Sequence, residues 1–361
     1  MDRVRNSTSH LTLLSGLLLA EEEGTNSEQA TPAVTSYGRS SLGQLWELAT
    51  AHHVIIRTFP GLQKSMAQQG NGCDRWVENA MATERTRIRR ALSYLSPICR
   101  TLEEAGEVVV IKSLDHWPDF GSDLDLFTTA HGREVAAIMR SRFSAQLAPR
   151  SWGDRLANKW NFIIPGLPEL VEVHAGRLGQ TGEQVAITDS LVARSAEAQF
   201  ESYMFRVPAP EDRLLISTLQ RMYRHFYLRM CDVADIARLI DSGTVDYVLL
   251  QSLAESAGLW DGLCCYLGIV GEYVKSYRRQ GLRLPDSITS AARLGVRNVS
   301  FREKFLRIPI FPQSMRFYAK EWAMLLLNGE LENALRLSLL PGLAVAAAVA
   351  FKTTGNDKGI W

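Results

Sequence analysis

The residues with the clearest chemical potential lie in VVVIKSLDHWPDFGSDLDLFTT, Val108 to Thr129. Asp123 and Asp125 stand two apart in an apolar run. On a strand their carboxylates project from one face, while Leu124, Leu126 and Phe127 supply apolar contacts for a core. Like charges so placed repel unless something binds them. Lys112 and Ser113 end the preceding apolar run, and nine residues separate Ser113 from Asp123. A turn of that length brings a hydroxyl, loop amides and an ammonium group toward the carboxylates, a set suited to phosphate.

A third acid follows in LVEVHAG, where Glu172 alternates with Val171 and Val173, so Glu172 and His174 share one strand face. A neighbouring strand position makes Glu172 the partner of Asp123 and Asp125. Three carboxylates beside a phosphate pocket suit magnesium, a hard cation that takes a few carboxylates and fills its octahedron with water and phosphate oxygens. His174 either orients Glu172 or caps the strand. Asp115 and Asp119 read as turn residues.

IKSLDHWPDFGSDLDLF resembles the signature of the nucleotidyltransferase superfamily with the DNA polymerase β type of fold: a strand, a Gly-Gly or Gly-Ser turn, about ten residues, then Asp-x-Asp on the next strand. The wider layout is similar to an uncharacterised bacterial nucleotidyltransferase family. There a helical block leads to a Lys-Gly turn, an Asp-x-Asp strand, a later strand with an acid two residues before histidine, and a helical C-terminal half. The matching positions are Lys112 and Ser113, Asp123 and Asp125, and Glu172 and His174, over roughly residues 42 to 285. Lys112 stands where the superfamily has glycine, and Ser113 where the closer family has it. A side chain there either crowds phosphates or adds a contact of its own.

The resemblance implies transfer of a nucleoside monophosphate from a nucleoside triphosphate to an acceptor hydroxyl, with release of pyrophosphate. Two magnesium ions about 3.5–4 Å apart are then expected, held by Asp123, Asp125 and Glu172. Glu172 either completes the second metal site or accepts the acceptor's proton. Lys112, Ser113 and Ser122 are the expected nucleotide contacts. His174, His225 and Asp232 are acceptor-site candidates.

Around this set the apolar period changes twice. Helical spacing runs from Leu42 to His52, followed by a short hydrophobic segment, and again from Cys73 to Gly106. A β-branched run at 107–112, a second strand at 122–128 and two strands within 161–176 joined through Pro165, Gly166 and Pro168, with a helix over 133–146, predict a compact mixed sheet core. From Pro210 the helical period returns, through a stretch containing Arg221, Arg224, His225, Arg229, Asp232 and Asp235. That stretch is either a solvated face or, through His225 and Asp232, the wall of an acceptor pocket. The fold class is α+β: a small mixed sheet core over 105–205, an N-terminal helical region over 1–104 with a linker at 24–41, a helical domain over 206–290 and a helical extension over 291–361.

Composition narrows the partners. The 361 residues carry 40 Lys and Arg against 39 Asp and Glu, a net charge of +1, so nothing general draws the chain to nucleic acid or an anionic membrane. The five cysteines, Cys73, Cys99, Cys231, Cys264 and Cys265, contain no C-x-x-C pair, and a reducing, cytoplasmic setting is expected. The run Leu11 to Ala20 is broken by polar residues and closes in three glutamates, which favours an amphipathic helix over a signal peptide. Leu337 to Phe351 is too short to span a bilayer and contains Pro341 and Gly342, which leaves a packed helix or peripheral membrane contact. A small-molecule acceptor is the expected partner of the nucleoside triphosphate. Transfer onto a protein or RNA and a non-catalytic nucleotide-binding scaffold are the competing readings.

Overall fold

The elements follow the two apolar periods of the sequence. The computed structural model describes residues 2–19, 39–68 and 74–354. Four helices come first: α1 (Asp2–Leu19), α2 (Arg39–Ala51), α3 (Ile55–Gln68) and α4 (Asp74–Leu102). Leu11, Leu13, Leu14 and Leu19 of α1 are buried, so this apolar run is an interior helix. The short hydrophobic segment after His52 is a new helix. The chain turns at His53 with φ 50°, and the Asp119 carboxylate accepts the Ile56 and Arg57 N–H groups at 2.6 and 3.2 Å. A distant loop residue thereby caps α3, which local sequence could not announce.

The sheet is built from β1 (Val108–Val110) and β2 (Asp123–Thr128), then, after α5 (Gly132–Phe143), from β3 (Gln146–Leu147). It is completed, after α6 (Trp152–Leu156), by β4 (Lys159–Ile163) and β5 (Leu170–Ala175). Its order is β1-β2-β5-β4-β3, with β2 and β5 parallel and the other pairs antiparallel. Side-chain alternation then assigns the faces. Val110, Leu124, Leu126, Val171 and Val173 pack with Leu92 and Leu95 of α4 and Met139 of α5. Val109, Ile111 and Phe127 turn the other way and join the apolar cluster of the helical half. Both faces are covered, and the acidic residues lie on the second.

The rest of the chain adds α7 (Val185–Arg194), the hairpin β6 (Ala196–Phe200) and β7 (Tyr203–Val207), and α8 (Pro210–Thr218). α8 continues into a π-helix, Leu219–His225, that stops at Phe226 with φ 52°. Then come β8 (Tyr227–Leu228), α9 (Met230–Asp241), α10 (Tyr247–Ser256), α11 (Trp260–Lys275) and α12 (Asp286–Ala291). β10 (Phe305–Arg307) pairs with both β8 and β9 (Ser300–Arg302) in a second small sheet, and α13 (Gln313–Leu327), α14 (Leu331–Ser338) and α15 (Leu340–Thr354) close the described chain. The N-terminal helices share one core with this half: Leu14, Leu45 and Phe59 cluster with Leu215, Ile236 and Tyr266. The chain is an α+β protein with a small mixed sheet and helical blocks at both ends.

Among the described residues, no helix is long and apolar enough to cross a membrane. Leu327, Leu331, Leu335 and Leu339 are exposed at four-residue spacing from the end of α13 to the end of α14. Cys99, Cys231, Cys264 and Cys265 are buried free thiols. Cys73 and most of the expected linker lie outside the described residues.

Candidate functional site

The β2–β5 ladder sets the site. Asp125 is in register with Glu172, and Asn161 of β4 stands opposite Glu172 on its other side. Parallel pairing with a period of two puts Asp123, Asp125, Glu172, His174, Lys159 and Asn161 on one face. Asp125, Glu172 and His174 offer ligand atoms that all lie within 4.8 Å of one another. Asp123 sits one alternation away, accepting from the Ser122 hydroxyl at 3.2 Å, and has no ion pair among the described residues.

Two lysines hold this face together. Lys112 Nζ bridges the Asp125 carboxylate and Glu172 Oε1, the latter at 3.4 Å. Lys159 Nζ lies 3.0 Å from Glu172 Oε2 and 3.0 Å from Asp154 Oδ1. His174 Nε2 is 2.9 Å from Glu172 Oε1. Burial opposes the charge on Glu172, but Lys112, His174 and Lys159 overcome it and hold the carboxyl well below its usual range. Burial lifts Asp125 to about 7, against Lys112 and with repulsion from Glu172. Burial and the neighbouring Glu172 raise Asp123 in the same direction. Lys112, although buried, is raised because Asp125 and Glu172 outweigh desolvation.

The turn that delivers Lys112 is made by Ser113. Its buried hydroxyl donates to Asp123 O at 2.9 Å and accepts the Asp125 N–H at 2.7 Å. Ser113 therefore latches the end of β1 onto β2 instead of facing a ligand. Lys112 takes φ 62°, the left-handed region that glycine enters at no steric cost. The strain aims its side chain across the strand ends at the carboxylates.

Space around this set is narrow. Cavities of about 40, 20 and 10 Å³ surround Lys112, Lys159 and Gln220. The largest of these is walled by Lys112, His174, Gln180, Gln220 and Arg224. It has room for about three waters, whereas a drug-sized ligand needs roughly 300–1,000 Å³. A cavity of about 900 Å³ lies elsewhere, against Val248, Trp260, Asp261, Lys320 and Met324.

The acceptor-site candidates fall differently. His174 joins the carboxylates. Asp232 borders the 20 Å³ cavity beside Lys112, but its Oδ2 pairs with Arg221 Nε at 2.8 Å and takes the Arg229 N–H at 2.6 Å. His225 stands 5.4 Å from the Tyr227 ring, and burial followed by Arg224 pushes it down to about 2. Sequence reading overlooked Lys159, Asp154 and Gln220 as parts of the site. The alternation in KWNFI places Lys159 on the face of Asn161, and that was the available signal. Asp154 and Gln220 arrive through α6 and the π-helix, for which pattern gave no cue.

Behind the turn, a polar hub joins three elements. Arg57 reaches Asp119 at 2.9 Å and Asp235 at 2.6 Å. His116 Nδ1 bonds to Asp235, and its Nε2 lies 3.8 Å from Cys231 Sγ. Asp115 pairs with Arg213 at 2.7 Å. The long β1–β2 loop is thus clamped to α3, α8 and α9, which fixes where Lys112 points. No protein-family profile, curated protein or solved structure matches the chain.

Proposed function

We propose that the chain is a magnesium-dependent nucleotidyltransferase that moves a nucleoside monophosphate from a nucleoside triphosphate to the hydroxyl of a small molecule. The observation that carries the reading is the in-register meeting of Asp125 and Glu172, with Asp123 next on the same face. Asp123, Asp125 and Glu172 would hold magnesium, a fit supported by the ligand atoms of Asp125 and Glu172 lying within 4.8 Å of each other, where the Lys112 ammonium now balances their charge. Bound there, magnesium supplies charge neutralisation on the triphosphate oxygens.

The protein's own part is positioning. The acceptor oxygen bonds to the α-phosphorus as the bond to pyrophosphate breaks, and the hydroxyl proton passes to solvent water. Glu172, held well below the ordinary carboxylate range, is better suited to ligation than to taking that proton. Lys112 leaves the carboxylates as the triphosphate enters and pairs with its oxygens. The buried free thiols fit a reducing, cytoplasmic compartment.

One observation favours a second reading. Lys112 already neutralises Asp125 and Glu172, as suits a nucleotide-binding or scaffold protein that retains the fold without turnover. Calorimetry with each nucleoside triphosphate, with and without magnesium, tests both. Magnesium-dependent binding by wild type that disappears in Asp123→Asn/Asp125→Asn is the expected result. Binding that survives the double substitution overturns the site, and binding without pyrophosphate release across an acceptor panel selects the scaffold.

A further inference from the structure

His174 is 5% exposed, yet its Nδ1 is buried with no hydrogen-bond partner among the described residues. The other nitrogen settles what that atom can do. Nε2 faces Glu172 Oε1 at 2.9 Å, and an ionised carboxylate only accepts, so Nε2 carries the hydrogen. Nδ1 then presents a lone pair. An orphan acceptor in an interior costs about 1–3 kcal/mol, and His174 lines the 40 Å³ cavity.

Across that cavity stands Arg224, on the π-helix Leu219–His225. Its guanidinium makes no hydrogen bond or ion pair among the described residues, unlike its neighbour Arg221, which is paired with Asp232. π-Helical turns recur at functional sites because they displace a side chain from regular helical register. Lys112 is also in the wall, but its charge is spent on Asp125 and Glu172. The cavity thus holds one unspent cation, one unspent hydrogen-bond acceptor and the amide of Gln220. With space for about three waters, it admits the polar end of a small molecule and excludes a nucleoside.

We propose that the cavity between His174 and Arg224 takes up the hydroxyl end of a small acceptor whose anionic oxygen group stays outside it against the half-buried Arg224, the class of polyol phosphates and hydroxy acids. The hydroxyl donates to His174 Nδ1, and the anion pairs with Arg224, a fork that matches carboxylate or phosphate geometry. This rests on the transferase reading: Glu172 holds His174 and belongs to the proposed metal set, so an acceptor seated here lies beside the triphosphate.

Four probes separate the requirements by calorimetry: glycerol 3-phosphate, glycerate, glycerol and methyl phosphate. Glycerol 3-phosphate or glycerate should bind wild type at millimolar concentration or tighter, with the better of the two deciding between phosphate and carboxylate. Glycerol, lacking the anion, and methyl phosphate, lacking the hydroxyl, should bind at least tenfold more weakly. Arg224→Met leaves no partner behind and should keep the fold while losing at least tenfold in affinity for the anion. In His174→Leu the advantage of glycerol 3-phosphate over methyl phosphate should vanish. If neither three-carbon anion binds wild type, or Arg224→Met binds it unchanged, the proposal is wrong. Asp123→Asn, outside the cavity wall, reports separately: it should abolish magnesium-dependent triphosphate binding and spare the three-carbon anion. Loss of one signal without the other therefore shows which reading has failed.

Discussion

Asp125 and Glu172 face each other across the parallel β2–β5 ladder, and a single ammonium, Lys112 Nζ, is bonded to both. Removing that cation leaves the mostly buried Asp125 without its ion-pair partner beside Glu172, which keeps Lys159. Lys112→Met should destabilise the fold by about 3–5 kcal/mol, the cost of stranding a buried ionic partner. Millimolar magnesium should then raise the denaturation midpoint of the variant more than that of wild type, because an ion bound only by the folded state stabilises it. Urea titrations with and without magnesium measure both effects. Equal magnesium responses would mean that the ammonium and the ion do not compete.

Ser113 has a structural duty with a defined cost. Its hydroxyl satisfies the Asp125 N–H and donates to Asp123 O. Ser113→Ala should cost about 1–3 kcal/mol, chiefly from the unsatisfied amide, and should speed amide exchange at Asp125. Deuterium exchange by mass spectrometry or NMR reads this directly. A variant as stable as wild type would return Ser113 to the ligand-contact role.

Asp232 is the residue for which stability and function part. Arg221 is 1% exposed and pairs with it at 2.8 Å. Asp232→Asn should lower stability by about 3–5 kcal/mol, measured by denaturant unfolding, whatever it does to ligands. A normal unfolding curve combined with lost acceptor binding would place Asp232 in direct contact with the acceptor.

His52 gives a pH test. It is fully buried, its Nδ1 accepts the Met230 N–H at 2.8 Å, and its Nε2 donates to Lys304 O at 2.6 Å, so only the neutral ring fits both partners. Burial lowers it to about 4. Between about pH 6.5 and 4 the unfolded chain binds a proton here that the folded chain refuses, so stability falls as pH drops through that window and is unaffected above it. The stability gap between wild type and His52→Gln should therefore shrink by about 1.4 kcal/mol per pH unit below 6.5. Denaturation midpoints at neutral and mildly acid pH give the gap, and a constant gap would show that the ring is not held neutral.

Much of the site's raw material was readable along the chain. The two-residue period of SDLDLFT and LVEVHAG placed Asp123 with Asp125 and Glu172 with His174, because strand geometry fixes facing within a segment. The change of apolar period likewise marked the sheet core and the helical blocks on either side. What a segment cannot contain is its register against another. That Asp125 meets Glu172, rather than Asp123 doing so, was decided by the parallel β2–β5 pairing. That Ser113 is consumed as a latch, that Lys112 bridges the acids and that Arg224 arrives without an ion pair among the described residues all depend on which groups, about ten or more residues apart in the chain, the fold brings together. Side-chain chemistry along a strand is local, but charge compensation and the closing of a cavity belong to whichever distant groups the packed fold brings within a few ångströms, and only the tertiary structure fixes those.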